Sequence, residues 1–192
     1  MKMNLASCFA LVVFALAVVP DAGAKGGHYR FEGGTPAERK QVVDALNVSA
    51  FNWSVVPWTV TIHIRSGSWS SGTAEFEGYS APRNIYLSAR LLDEPGKDSW
   101  GYVQHEYAHQ VDQSRFNDAT RKRLNYLLVG KTWWWHPGMP HGAAGAERFA
   151  STLAYTYWPS PDNLLDQWSQ NESRAMLSGP FKKLMRSLLG CC

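Results

Sequence analysis

His105-Glu106-Tyr107-Ala108-His109 is the stretch on which the reading of this chain turns. Two histidines four positions apart lie about one helical turn from each other, so on a helix both imidazoles project to one side and can converge on a zinc ion. The glutamate after the first histidine then stands close enough to take a proton from a water that the metal activates. With six His among 192 residues and the glutamate content of this chain, the expected number of chance matches is about 0.008.

The flanking residues predict a helix over 99–115. At about 100° per residue, Trp100, Val103, Tyr107 and Val111 gather on one face. Gly101, Tyr102, His105, His109 and Asp112 gather on the opposite face. One face is expected to pack and the other to hold metal, with Asp98 or Ser99 capping the helix start. Asp112, on the ligand face, is either an ordinary surface carboxylate or the acceptor for the second ring N–H of a zinc histidine.

A catalytic zinc takes three protein ligands and keeps one position open. Position 112 is Asp and position 115 is Arg, so the motif does not continue to a third histidine at the metzincin spacing. His136, His141 and Glu147 are the remaining candidates. Glu147 is the best placed: it sits early in a helical segment predicted over 144–157, with Ala150, Ser151 and Ala154 on its own face. Those small residues allow close approach to the zinc helix, while Phe149 and Leu153 turn the other way into a core.

At these positions the chain resembles the gluzincin branch of zinc metallopeptidases, and more narrowly the catalytic domain of the anthrax lethal-factor type. The matching pieces are His105 to Asp112, then Ala146-Glu147-Arg148-Phe149-Ala150, then a helix opened by Pro180. The resemblance implies a zincin-like α+β fold with His105, His109 and Glu147 as zinc ligands and Glu106 as general base and acid. It likens Trp58 to Arg65 and Asn84 to Ser88 to the upstream sheet, the latter as its substrate-binding edge strand. In lethal-factor-type enzymes a tyrosine shortly before the third-ligand helix stabilises the oxyanion. Here that segment is Trp133-Trp134-Trp135-His136-Pro137-Gly138-Met139-Pro140-His141 and holds no Tyr. His141 is the favoured replacement, with His136, Tyr155 and Tyr157 as alternatives. The Trp133 to Trp135 run is read either as a substrate-contacting rim or, as is commoner for large aromatics between helices, as core.

Upstream, Thr35-Pro36-Ala37-Glu38 carries the signs of a capped helix start, followed by Val42, Val43 and Leu46 on one face and an end near Val48. Trp58 to Arg65 alternates apolar and polar residues and predicts a half-buried strand that leaves His63 on the polar face. Ser66 to Gly78 reads as a turn or hairpin loop, and Asn84 to Ser88 as a short strand. Further helices are predicted over 120–129 and 180–189, the latter with Phe181, Leu184 and Leu188 on one side. Strands come early and helices late, an α+β order.

At the N-terminus, Lys2, the apolar run Phe9 to Val19, Pro20 and Ala22-Gly23-Ala24 have the pattern of a cleaved signal peptide over 1–24. The run is shorter than the roughly 20 residues that span a bilayer. The remaining 25–192 suits a single zinc metallopeptidase-like domain. Cys8 leaves with the leader, and the other two cysteines are the adjacent Cys191 and Cys192, so no internal disulfide framework is expected. A net charge of +3, 18% charged residues and 45% apolar residues speak against a disordered chain, and nothing concentrates the positive charge for a nucleic-acid partner. Asn47-Val48-Ser49, Asn52-Trp53-Ser54 and Asn171-Glu172-Ser173 are glycosylation acceptors where the host glycosylates secreted proteins.

The sequence therefore predicts a secreted zinc endopeptidase acting on peptide or protein substrates, with no stable membrane insertion after leader removal. Its fold is expected to join a small N-terminal twisted sheet, a zinc-binding helix and a helical C-terminal part. The alternative is a non-catalytic secreted binding or cell-surface module with a structural zinc or none.

Overall fold

The alternating segment forms a strand, Val60–Arg65 (β2), whose Val60, Ile62 and Ile64 enter the core. The computed structural model describes residues 27–71, 74–93, 99–163, 165 and 170–190; the segment 1–24 expected to be a signal peptide, Asp98 and the two terminal cysteines lie outside them. Tyr29–Gly33 (β1), which the sequence pattern did not reveal, pairs parallel with β2. Asn84–Ser88 (β6) pairs parallel with the other side of β2 and antiparallel with Gly78–Ala81 (β5), so the sheet order is β1-β2-β6-β5. The Ser66 to Gly78 loop contains a hairpin of its own, Trp69–Ser71 (β3) with Ala74–Phe76 (β4). Asn84 to Ser88, expected at the edge, is an interior strand; the edge nearer the helix that carries His105 and His109 is β5.

Pro36–Val48 (α1) starts as expected, with a complete Thr35–Glu38 capping box. A bend at Gly33 (φ +74°) joins β1 to it, and a Cβ there would run into the Ile64 carbonyl. Trp53 is fully buried beneath α1 and donates from Nε1 to the Leu46 carbonyl at 3.1 Å. After β6 the chain forms Ala89–Asp93 (α2), Trp100–Arg115 (α3), Asp118–Leu127 (α4), Gly145–Tyr157 (α5), Gln170–Ser173 (α6) and Ser178–Leu189 (α7). α4 starts earlier than predicted because Asn117 caps it, accepting from the Thr120 N–H. α7 buries Phe181, Met185 and Leu189, a face rotated from the predicted one; Leu184 and Leu188 are only partly covered.

The architecture is α+β, a four-stranded mixed sheet with α1 inserted between β1 and β2 and the other helices following it. α3 lies at its centre, packed against α1, β5 and α5. It is therefore buried on every side from Val103 to Asp112 and not only on the predicted apolar face. Burial of that many polar side chains requires partners inside the molecule, and those partners build the candidate site. Among the described residues no helix is long and apolar enough to cross a membrane.

Candidate metal centre

Helical spacing on α3 sets His105 above His109, and α5 crosses α3 with Glu147 in its first turn. His105 Nε2, His109 Nε2 and Glu147 Oε2 are each 3.1 Å from the other two. For zinc bonds of about 2.0–2.1 Å, neighbouring tetrahedral ligands lie about 3.3–3.4 Å apart, so this triangle of two imidazole nitrogens and one carboxylate oxygen suits that ion. His105, His109 and Glu106 are each less than 9% exposed. Ala150, Ser151 and Ala154 are buried along the face of α5 that Glu147 shares, as the close packing of the two helices requires.

A third histidine also arrives here. His141 opens a one-turn 3-10 segment just before α5, with Nε2 3.2 Å from Glu147 Oε2 and Nδ1 3.2 Å from Glu172 Oε2. His105, His141 and Glu147 could together hold a metal ion, their donor atoms lying within 4.8 Å of one another. His136 is exposed, its ring set against the neighbouring Pro137 carbonyl. Tyr157 is buried against Phe51, and Tyr155 lies beneath the Arg174 guanidinium. Of the four groups considered for the oxyanion, only His141 meets the cluster.

The electrostatics follow from burial and crowding. Burial opposes charge on both Glu147 and His109, yet each sits beside the other's charge, and the pair prevails: Glu147 is held well below the usual carboxylate range and His109 is raised to about 9. His141, likewise opposed by burial, is raised to about 10 by its hydrogen bonds to Glu147 and Glu172. Glu106 goes the other way. Burial raises its carboxyl, only partly offset by His105 and His109, and its Oε2 is buried with no hydrogen-bond partner among the described residues. Its Oε1 faces Gly78 on β5, where a Cβ would come within 3.3 Å.

Gln110, one turn beyond Glu106, holds β5 at this height. Its Nε2 donates to Ser80 Oγ at 2.5 Å and to the Ala81 and Asn84 carbonyls, while its Oε1 accepts from Trp58 Nε1 and the Arg83 N–H. Gly78 and Ser80 are two residues apart on a strand, and Glu106 and Gln110 are one turn apart on a helix. Both spacings are about 6–7 Å, so the two elements stay in step.

Asp112 is neither a surface carboxylate nor a hydrogen-bond partner of His105 or His109. Its Oδ1 accepts from Arg121 Nε at 2.9 Å and its Oδ2 from Trp133 Nε1 at 3.1 Å, which ties α3 to α4 and to the loop before α5. Trp133 also packs on Phe149, whereas Trp134 is half exposed under Arg121, so the tryptophan run divides between core and surface. The second nitrogen of His105 meets Ser151 Oγ at 2.9 Å, and Ser151 in turn donates to Glu172 Oε1 at 2.6 Å. Sequence reasoning missed Glu172 because it lies in a four-residue helix far along the chain, inside a stretch that reads as a glycosylation acceptor. No family model matches this chain, and neither a curated protein nor a solved structure does.

Proposed function

We propose that this protein is a zinc-dependent endopeptidase of the gluzincin type with a zincin-like fold, secreted after removal of residues 1–24, acting on extended peptide or protein segments. One observation carries the reading: two imidazole nitrogens and a carboxylate oxygen converge at 3.1 Å beside a second buried carboxylate, whose Oε2 has no hydrogen-bond partner among the described residues. His105, His109 and Glu147 hold the zinc, which when bound supplies Lewis acidity to the scissile carbonyl and the attacking water. Glu106, lifted by burial toward the operating pH, takes the proton of that water and returns it to the leaving amine. His141, steadied by Glu172 on Nδ1, donates from Nε2 to the developing oxyanion. β5, the last strand of the sheet, aligns the peptide by strand addition, and Gly78 leaves the peptide room to pass Glu106.

A second reading draws on the position of His141. A fourth donor 3.2 Å from Glu147 Oε2 can close the coordination sphere, which suits a structural zinc in a binding module. One experiment separates the two. Purified protein is assayed for metal content and for cleavage of an unfolded generic protein, with and without 1,10-phenanthroline. One zinc per chain with chelator-sensitive, zinc-restored cleavage is expected; one zinc with no cleavage favours the binding module, and no zinc sinks both.

A further inference from the structure

Glu172 is 6% exposed, and every polar atom of its side chain is engaged by a residue of the proposed centre or by that residue's immediate support. Oε1 accepts from Ser151 Oγ at 2.6 Å, and Ser151 Oγ lies 2.9 Å from His105 Nδ1. Oε2 meets His141 Nδ1 at 3.2 Å. Its backbone carbonyl accepts from Thr152 Oγ1 at 3.0 Å, which fixes α6 against α5. Ser151 and Thr152 are 1% and 0% exposed, so water does not compete for the two bonds they make to Glu172, whereas His141, its side chain 55% exposed, meets Oε2 from the solvent side.

Counting protons gives the direction of each bond. A carboxylate only accepts, and a hydroxyl has one proton to donate. Ser151 gives that proton to Glu172, so it can only accept from His105, and the His105 proton must be on Nδ1. That leaves Nε2, 3.1 Å from His109 Nε2 and Glu147 Oε2, as the nitrogen that would give up its proton to a metal while Nδ1 keeps its own. The same rule puts a proton on His141 Nδ1, facing Glu172, and another on Nε2, facing Glu147.

The geometry assigns Glu172 as a shared positioning residue: one buried carboxylate sets the proton position and orientation of His105 through Ser151 and of His141 directly, coupling a zinc ligand to the oxyanion donor. This deepens the zinc-peptidase reading and rests on it. A carboxylate behind a metal-binding histidine raises ligand basicity and locks the ring, and its loss typically costs 10- to 100-fold in metal affinity. Here the same loss reaches a second ring as well. Glutamine cannot substitute, because its single acceptor oxygen serves only one of the two rings. Its NH2 group faces the other, which must then accept or pass the reversal on through Ser151.

The test uses Glu172→Gln, Ser151→Ala and Ser151→Thr in the purified protein, with thermal melting to verify folding. Imidazole 15N spectra of the metal-free protein read which ring nitrogen carries the proton, and competitive titration with zinc alone reads affinity. In the unsubstituted protein both rings are expected to carry Nδ1 protons. Glu172→Gln should move the proton of at least one ring, and both it and Ser151→Ala should weaken zinc binding about 10- to 100-fold. Ser151→Thr, which keeps the hydroxyl, should restore most of that affinity. The double variant should lose no more zinc affinity than the worse single one, since both break one chain of bonds. Zinc affinities within twofold of the unsubstituted protein, with unchanged ring spectra, would overturn the assignment. Should Glu172→Gln not fold, the two Ser151 variants decide the His105 arm alone. Zinc binding without peptidase activity would defeat the endopeptidase reading and leave this one standing. Absence of zinc binding would defeat the centre, and the metal-free spectra would still decide the role of Glu172.

Discussion

Two histidine and glutamate pairs in this molecule share one separation and differ in everything around it. On the outer face of the sheet, His63 Nδ1 is 3.1 Å from Glu32 Oε2; between α3 and α5, His105 Nε2 is 3.1 Å from Glu147 Oε2. The Glu32 side chain is 55% exposed and that of Glu147 is 14% exposed. Glu32 meets one imidazole, whereas Glu147 Oε2 meets three. His63 completes its surroundings with neutral groups, Asn84 Oδ1 at 2.9 Å and the stacked ring of Tyr86 at 4.5 Å. Pair distance therefore says little. Convergence of several donors on one buried oxygen, where solvent cannot relieve the charge, separates a candidate metal site from an ordinary ion pair.

Removing one member of each pair gives the widest contrast. His109→Ala and Glu147→Ala should each abolish stoichiometric zinc binding at micromolar metal, measured by metal analysis after gel filtration, while His63→Ala keeps one zinc per chain. Loss of zinc in the His63 variant would erase the distinction. Glu106→Gln comes next. Its side chain belongs to the buried region but is no ligand, so zinc content and melting temperature should hold while kcat for peptide hydrolysis falls about 10²- to 10⁴-fold, the usual worth of a general base. A Gln variant of undiminished activity would remove Glu106 from the mechanism.

The two regions were also unequally legible in the sequence. His105, Glu106, His109 and Glu147 could be read because helical periodicity fixes which side chains share a face, and the small residues Ala150, Ser151 and Ala154 mark where helices can approach. The capping box of α1 and the alternation of β2 were legible for the same local reason. Strand order is not local. The short segments at Gly78 and Asn84 could each have taken the edge, and β5 takes it because Gln110 clasps Ser80, Ala81 and Asn84 together. Nor did the period reveal that α3 is buried all round, since that depends on α1, α5 and the sheet closing over it. Glu172 and its chain through Ser151 join residues 21 and 46 positions apart, and no pattern within one helix or strand announces such a bond. His63 was expected at the surface and is half-buried under Trp69 and Tyr86, an aromatic cluster that forms only once β2, β5 and β6 stand side by side.

Gly78→Ala probes the boundary between the regions, since β5 carries Tyr79 on the outer face and Gly78 toward Glu106. The added methyl would stand 3.3 Å from Glu106 Oε1 and Leu87 Cδ2 and 3.4 Å from the Tyr86 carbonyl, so neighbours must yield by a few tenths of an ångström. A drop in kcat/KM of about tenfold with unchanged zinc content is expected, because displacement of about 1 Å at a reacting centre costs about 10²-fold. Unaltered kinetics would detach β5 from the site. The charges of the buried cluster supply a slower gradient. In metal-free protein, His109 and His141 are raised above the ordinary value of about 6.5 to about 9 and about 10. Their contribution to stability is thus complete below pH about 6.5 and is lost as pH rises toward 9 and 10. Glu147, shifted down, contributes above its ordinary range near pH 4.5 and loses its contribution as pH falls. Melting in the presence of chelator should therefore show its highest temperature between about pH 4.5 and 6.5 and a decline on the alkaline side. Zinc affinity should climb across that alkaline decline as the histidines shed their protons. A flat profile from pH 6 to 9 would contradict the crowded-charge picture.

The smallest effect belongs to the outer pair, and its smallness is what gives the comparison its meaning. Glu32 is exposed and follows no other element into the core, so solvent already screens its attraction to His63. His63 is held by the Asn84 amide and by stacking on Tyr86 without help from Glu32. Glu32→Gln should therefore change unfolding free energy by less than about 1 kcal/mol, with a coupling of similar size in a cycle with His63→Ala. Zinc content and hydrolysis should not move. A coupling well above that range, measured by urea denaturation, would mean that the exposed pair is coupled as strongly as the buried one, and that burial is not what distinguishes the two.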